Sequence, residues 1–99
     1  MRIAVFLDDI HIAQIREDVK YAFLFEVDQK LIKAIGKELV KVDDINYICL
    51  WLLGRRVKAV YYDHFSEQEK SLLGKINISV ELTDKIRSNP VLQAMLVDS

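Results

Sequence analysis

Four side chains in this sequence have the types and chain positions to gather chemistry at one place: Asp8, Asp9, Asp63 and His64. Asp8 and Asp9 follow the apolar run Ile3 to Leu7, and Asp63-His64 follow a second run, Val57 to Tyr62. If these runs are adjacent parallel strands, both pairs stand at the strands' carboxyl ends, where open parallel sheets hold ligands. Carboxylates with an imidazole can bind a divalent cation, oxygen ligands suiting magnesium or manganese and the added histidine suiting iron or zinc. The competing reading makes them polar residues that end strands and cap helices.

Other reactive side chains are scattered. Cys49 is the sole cysteine, flanked by Ile48 and Leu50, and reads as a small hydrophobe in an apolar helix. No intrachain disulfide or thiolate-only metal site can form from one cysteine, which suits a reducing cytoplasm. His11, between Ile10 and Ile12, has no partner at metal-ligand spacing and reads as a surface or loop histidine. Trp51, Tyr61 and Tyr62 line a pocket or pack a core. Arg55, Arg56 and Lys58 form a small basic group, able to meet an anion or to stand solvated at a helix end.

The elements that position these residues follow from hydrophobic period. Ile3 to Leu7 is a short continuous apolar run, suited to a strand buried on both faces. Ile10 to Val19 is a loop with a short helix or an irregular edge. Tyr21 to Val27 reads as a second strand, with a turn at Asp28-Gln29. Leu31 to Val42 is divided: Leu31, Ile32, Ile35 and Leu39 share a helical face, whereas Leu39-Val40-Lys41-Val42 alternates as a strand does. Asp43-Asp44 opens a helix with Ile45, Ile48, Cys49 and Leu52 on one face, stopped by Gly54. Val57 to Tyr62 is a strand. Ser66 and Glu69 form a capping box for a second helix, packed by Leu72-Leu73 and stopped by Gly74. Ile76 to Leu82 alternates as a half-exposed strand, Thr83 caps a helical turn through Ile86, and Asn89-Pro90 starts a last helix over Val91 to Val97.

This succession predicts a single α/β domain over residues 1–99, with a mixed five-stranded sheet of the ribonuclease H-like kind. A length of 99 residues, 52% of them hydrophobic, is enough for one core. Fourteen basic residues against fifteen acidic, evenly spread, argue against a nucleic-acid binder that works by neutralising phosphates. Gly36, Gly54 and Gly74 lie too far apart for a phosphate-cradling loop. Asp8-Asp9 cut the first apolar run well short of a signal peptide's hydrophobic region. No apolar stretch approaches the ~20 residues that span a bilayer. A cytoplasmic chain without a membrane segment is expected.

Several segments resemble the dinitrogenase iron–molybdenum cofactor biosynthesis domain, the NifX-like and NifB carboxy-terminal family. They are Met1 to Val5, Phe23 to Asp28, Tyr47 to Leu53, Arg56 to Val60, Leu72-Leu73 and Ile76 to Val80. The resemblance implies that Leu31 to Val42 is a strand and that the sheet order is 3-2-1-4-5 with helices on its faces. It also implies a non-enzymatic role, with an iron–sulfur or iron–molybdenum cluster as cofactor and a cofactor-biosynthesis protein as partner. By the same resemblance, a His-Phe-Gly motif belongs near Arg16-Glu17-Asp18 and a Gly-x-Gly-like loop where Asp63-His64-Phe65-Ser66 stand, and this sequence has neither. The family's cluster-holding motifs are lost, and Asp8, Asp9, Asp63 and His64 are the cofactor-binding candidates that remain.

Two readings of other classes stand beside this one. A metal-dependent ribonuclease H-like nuclease would place Asp8 and Asp63 on the first and fourth strands. It also needs a helix carboxylate, and none lies between Ile45 and Leu53. A protein–protein interaction module without ligand, pairing with a partner or as a homodimer, needs only apolar surface left exposed by the nearly all-apolar helix after Asp44.

Overall fold

The computed structural model describes residues 1–7, 19–28, 31–88 and 90. The chain runs β1 (Arg2–Leu7), β2 (Val19–Asp28), β3 (Leu31–Lys41), α1 (Ile45–Gly54), β4 (Val57–Tyr61), α2 (Glu67–Lys75), β5 (Ser79–Glu81) and a 3₁₀ helix (Thr83–Ser88). The fold is α/β, with one five-stranded mixed sheet in the order β3-β2-β1-β4-β5. β1 and β2, and β2 and β3, pair antiparallel, while β1–β4 and β4–β5 are parallel. The last helix expected over Val91 to Val97 lies outside the described residues.

β1 is central because its side chains are apolar in both directions. Ala4 and Phe6 enter a core under the helices with Ala22, Leu24, Val60, Ile48, Trp51, Leu52 and Leu73. Ile3 and Val5 enter a second cluster on the opposite face, with Phe23, Phe25, Ala59 and Ile86 of the 3₁₀ helix. Each fully buried large side chain here contributes roughly 1.5–3 kcal/mol through removal from water. α1 and α2 therefore cover one face, and the 3₁₀ helix packs on the other.

The divided segment is a strand. Leu31–Lys41 pairs with β2 along its whole length, and the register slips at one point: Leu24 opposes Gly36 whereas Phe25 opposes Ala34. Ile35 is the extra residue of a β-bulge. The slip puts Ile32 and Leu39, seven positions apart, on the same sheet face, a spacing that a helical period also gives.

The helix stops also differ from expectation. Asp44 caps α1, its carboxylate accepting from the Asn46 and Tyr47 N–H groups at 3.0 and 3.3 Å. Ser66 and Glu69 make the capping box of α2. Gly54 is the last residue of α1, however, and Gly74 lies inside α2. The left-handed residues past the helix ends are Arg56 (φ 58) and Asn77 (φ 63). After α2 the Asn77 N–H donates to the Gly74 carbonyl and the Ile78 N–H to Leu73, so the turn satisfies the helix's last carbonyls without glycine. That turn shortens the alternating run expected from Ile76 to a strand of Ser79–Glu81.

Candidate functional site

β1 leads into a hairpin on one side of the sheet, and its parallel neighbour β4 begins the other side, so the strand order switches between them. Outside their carboxyl ends is a cleft of ≈ 220 Å³, lined by Phe6, Leu7, Tyr62, Asp63, His64 and Thr83. This is where a doubly wound sheet offers room for a ligand, since the chains leaving neighbouring strands diverge there.

The floor is aromatic. Phe6 contacts Tyr62, Trp51 and Phe65 edge-on, with ring centroids 5.6, 6.0 and 6.3 Å apart, and Tyr62 and Phe65 stand 4.8 Å apart. Of the aromatics read as pocket or core, Trp51 and Tyr62 are buried and Tyr61 packs half-buried against the cluster on the opposite face, so they serve as core, with Tyr62 also forming cleft wall. The Tyr62 backbone N–H donates to the Glu81 carbonyl at 3.0 Å, fixing this corner to the end of β5.

Of the four candidate ligands, Asp63 and His64 stand at the cleft, and both are exposed. Asp8 and Asp9 lie outside the described residues, as does His11. Asp63 is engaged within the fold: one carboxylate oxygen accepts from the Thr83 N–H at 2.7 Å and the other from the Thr83 hydroxyl. The carboxyl is held below the usual aspartate range, first by the hydroxyl, then by the N–H, with a smaller attraction from His64. His64 packs its ring edge-on against Tyr62, centroids 5.4 Å apart. Asp63 thus ties the β4 end to the start of the 3₁₀ helix. The sequence marked Thr83 only as a cap; nothing in its spacing linked it to a carboxylate twenty positions earlier.

Cys49 and the basic group are separate from the cleft chemistry. Cys49 is partly buried against the core under the helices, and burial pushes its thiol above the ordinary range. Arg55 pairs with Glu38, while Arg56 and Lys58 are exposed. Among the described residues no three His, Cys, Asp or Glu side chains form a metal-binding group. An iron–sulfur cluster requires thiolate-type donors, and the described cleft supplies one carboxylate already bonded to Thr83 and one imidazole. The described residues do not fit a resident cluster. Among them, too, no helix is long and apolar enough to cross a membrane.

No family model matches this sequence, and no curated protein matches it. Among solved structures, the crystal structure of PH0822 superposes with a TM-score of 0.58 at 16% sequence identity, covering 83% of this chain and 76% of that one. At that identity the likeness is one of fold: the chain shares its α/β architecture with PH0822.

Proposed function

We propose that this chain is a non-enzymatic accessory domain of the iron–molybdenum or iron–sulfur cofactor assembly type that holds no cluster of its own. Two things support the assembly-type reading. The resemblance of Met1 to Val5, Phe23 to Asp28 and the segments from Tyr47 to Val80 implies it, and the sheet order expected from that resemblance is the order found. The observation that carries the accessory role is the bonding of Asp63. Its two oxygens close the cleft corner onto Thr83, and the remaining described lining is aromatic, aliphatic or the lone imidazole of His64. A carrier needs several donors free to close on a cluster, and from the described residues this cleft offers one carboxylate already engaged by Thr83 and one imidazole.

The test is anaerobic incubation of the purified chain with ferrous iron and sulfide, followed by desalting, absorption spectroscopy and iron analysis. The expected product is colourless, with no more iron than a control incubated without sulfide. A visible charge-transfer band accompanied by retained iron, lost on His64→Ala, would overturn the reading.

A further inference from the structure

We propose that the outer edge of β3 is a self-recognition surface, on which a second copy of this chain adds antiparallel and joins the two sheets into one. This inference is independent of the assembly-type reading. β3 is an eleven-residue strand at the end of the sheet order, and among the described residues no strand pairs with its outer side. Long edge strands are templates for pairing, and native proteins usually block them with bulges and lysines. β3 has both devices, and neither blocks a second copy of itself.

The bulge comes first. A twofold pairing sets each residue of one strand opposite one of the other, and opposed residues must share a sheet face and a backbone orientation. In an unbroken strand this centres the axis on a residue. Across the Ile35 bulge the phase is shifted, and centring the axis between Ile35 and Gly36 preserves both conditions. The opposed pairs are then Leu31 with Val40, Ile32 with Leu39, Lys33 with Glu38, and Ala34 with Lys37. The register with β2 supports the phase. Leu31 and Val40 oppose Asp28 and Lys20, Lys33 and Glu38 oppose Glu26 and Ala22, all on alternate β2 positions of one face. Ile32, Leu39, Ala34 and Lys37 oppose Val27, Tyr21, Phe25 and Phe23 on the other.

The chemistry selects the same register. Apolar residues meet apolar residues at both ends, where Leu31 and Leu39 are 74% and 55% exposed in the single chain. Each Lys33 meets the partner's Glu38, and this happens twice by symmetry. Glu38 also accepts from Arg55, and a carboxylate has lone pairs enough for a further donor. Lys37 does not obstruct the edge, because its ammonium lies over the Tyr21 and Phe23 rings, 4.5 and 5.4 Å from their centroids. Sliding the register by two residues puts Leu31 against Glu38 one way and Lys33 against Val40 the other. Sliding by one opposes residues from opposite faces. Of these registers the centred one satisfies charge, apolar contact and phase together, and a foreign straight strand meets the bulge with nothing to match it.

The charge pair supplies the test. Sedimentation velocity of the wild-type chain over a concentration series should show a reversible monomer–dimer equilibrium. Lys33→Glu and Glu38→Lys should each raise the dissociation constant about tenfold or more, since each puts like charges opposite one another twice. An equimolar mixture of the two variants should restore dimerisation. One variant then presents two carboxylates along this edge and the other two ammonium groups, so opposite charges meet at both positions. Amide exchange on wild-type protein, independent of variant folding, should slow along β3 as concentration rises. A monomer at every concentration, a dimer indifferent to Lys33→Glu, a mixture of folded variants that fails to pair, or β3 amides whose exchange ignores concentration would each overturn the proposal.

Discussion

The Arg55 guanidinium grips the Glu38 carboxylate through two 2.8 Å contacts while its central carbon lies 4.3 Å from the Trp51 ring centroid. One side chain thereby ties the end of α1 to the edge strand β3 and roofs the indole. Arg2 adds a second tie, donating to the Arg55 carbonyl at 3.1 Å, where α1's C-terminal partial charge favours a cation.

Glu38→Gln should therefore destabilise the fold, by about 0.5–1 kcal/mol given the partial exposure of the pair. The hydrogen bond from Arg55, then its charge, holds the Glu38 carboxyl below the usual glutamate range. The pair's contribution is thus fully present above the ordinary glutamate pKa and is lost as pH falls through the depressed folded value. Urea titrations at dilute, monomeric protein should show a shallower acid-side loss of stability for Glu38→Gln than for wild type. Equal acid limbs would remove the linkage.

The Asp63–Thr83 bonds make a prediction of the same sign at the cleft. Thr83→Val removes the hydroxyl donor, keeps the backbone donor, and should cost about 1 kcal/mol. Carbon-detected NMR titration should find the Asp63 carboxyl below the usual aspartate range in wild type and moved upward in Thr83→Val. Stability from this contact is present above the ordinary aspartate pKa and fades as pH falls through the folded one.

Cys49 should be a slow nucleophile. Burial disfavours its thiolate, so disulfide-exchange reagents near pH 8 should react with native protein at least about tenfold more slowly than with urea-unfolded protein. Comparable rates in the two states would contradict the packing of this thiol against the core.

Arg56 holds a left-handed backbone (φ 58) that costs a non-glycine residue roughly 1–2 kcal/mol, part of which glycine's greater unfolded-state freedom offsets. Arg56→Gly should raise stability by about 0.5–1 kcal/mol in thermal or urea unfolding. Asn77→Gly at φ 63 should gain less, because asparagine tolerates this conformation better.

Much of the architecture is legible in residue order. Ile3 to Leu7 announces a central strand because both of its faces are apolar, and Asp44 and Ser66 announce helix starts because a short polar side chain just ahead of a helical pattern can accept from the free N–H groups of the first turn. The helices run one or two residues past the expected stops, and the left-handed position falls two or three residues beyond each glycine, since glycine is the favoured left-handed residue and here Arg56 and Asn77 take that place. For the third strand the resemblance decides what periodicity leaves divided. A bulge is a relation between two strands, so the Ile35 phase slip cannot be seen in one strand alone. At the edge most of β3 is exposed, with Val40 its one fully buried residue, so alternation survives only at Leu39 to Val42, beyond the slip.

Residue order carries the local instructions: the apolar runs, the caps, the lone cysteine and the scarcity of closely spaced glycines. Packing in three dimensions assigns the charged residues their roles. Asp63 is a candidate ligand by type and position, and only the packing of β4 against the 3₁₀ helix brings Thr83 to its two oxygens. Glu38 has no assigned role along the chain, and Arg55 is one of a small basic group, until the edge of the sheet places them 2.8 Å apart. A carboxylate's role depends on which donor the fold brings to it, and that is a distance in space that spacing along the chain does not contain.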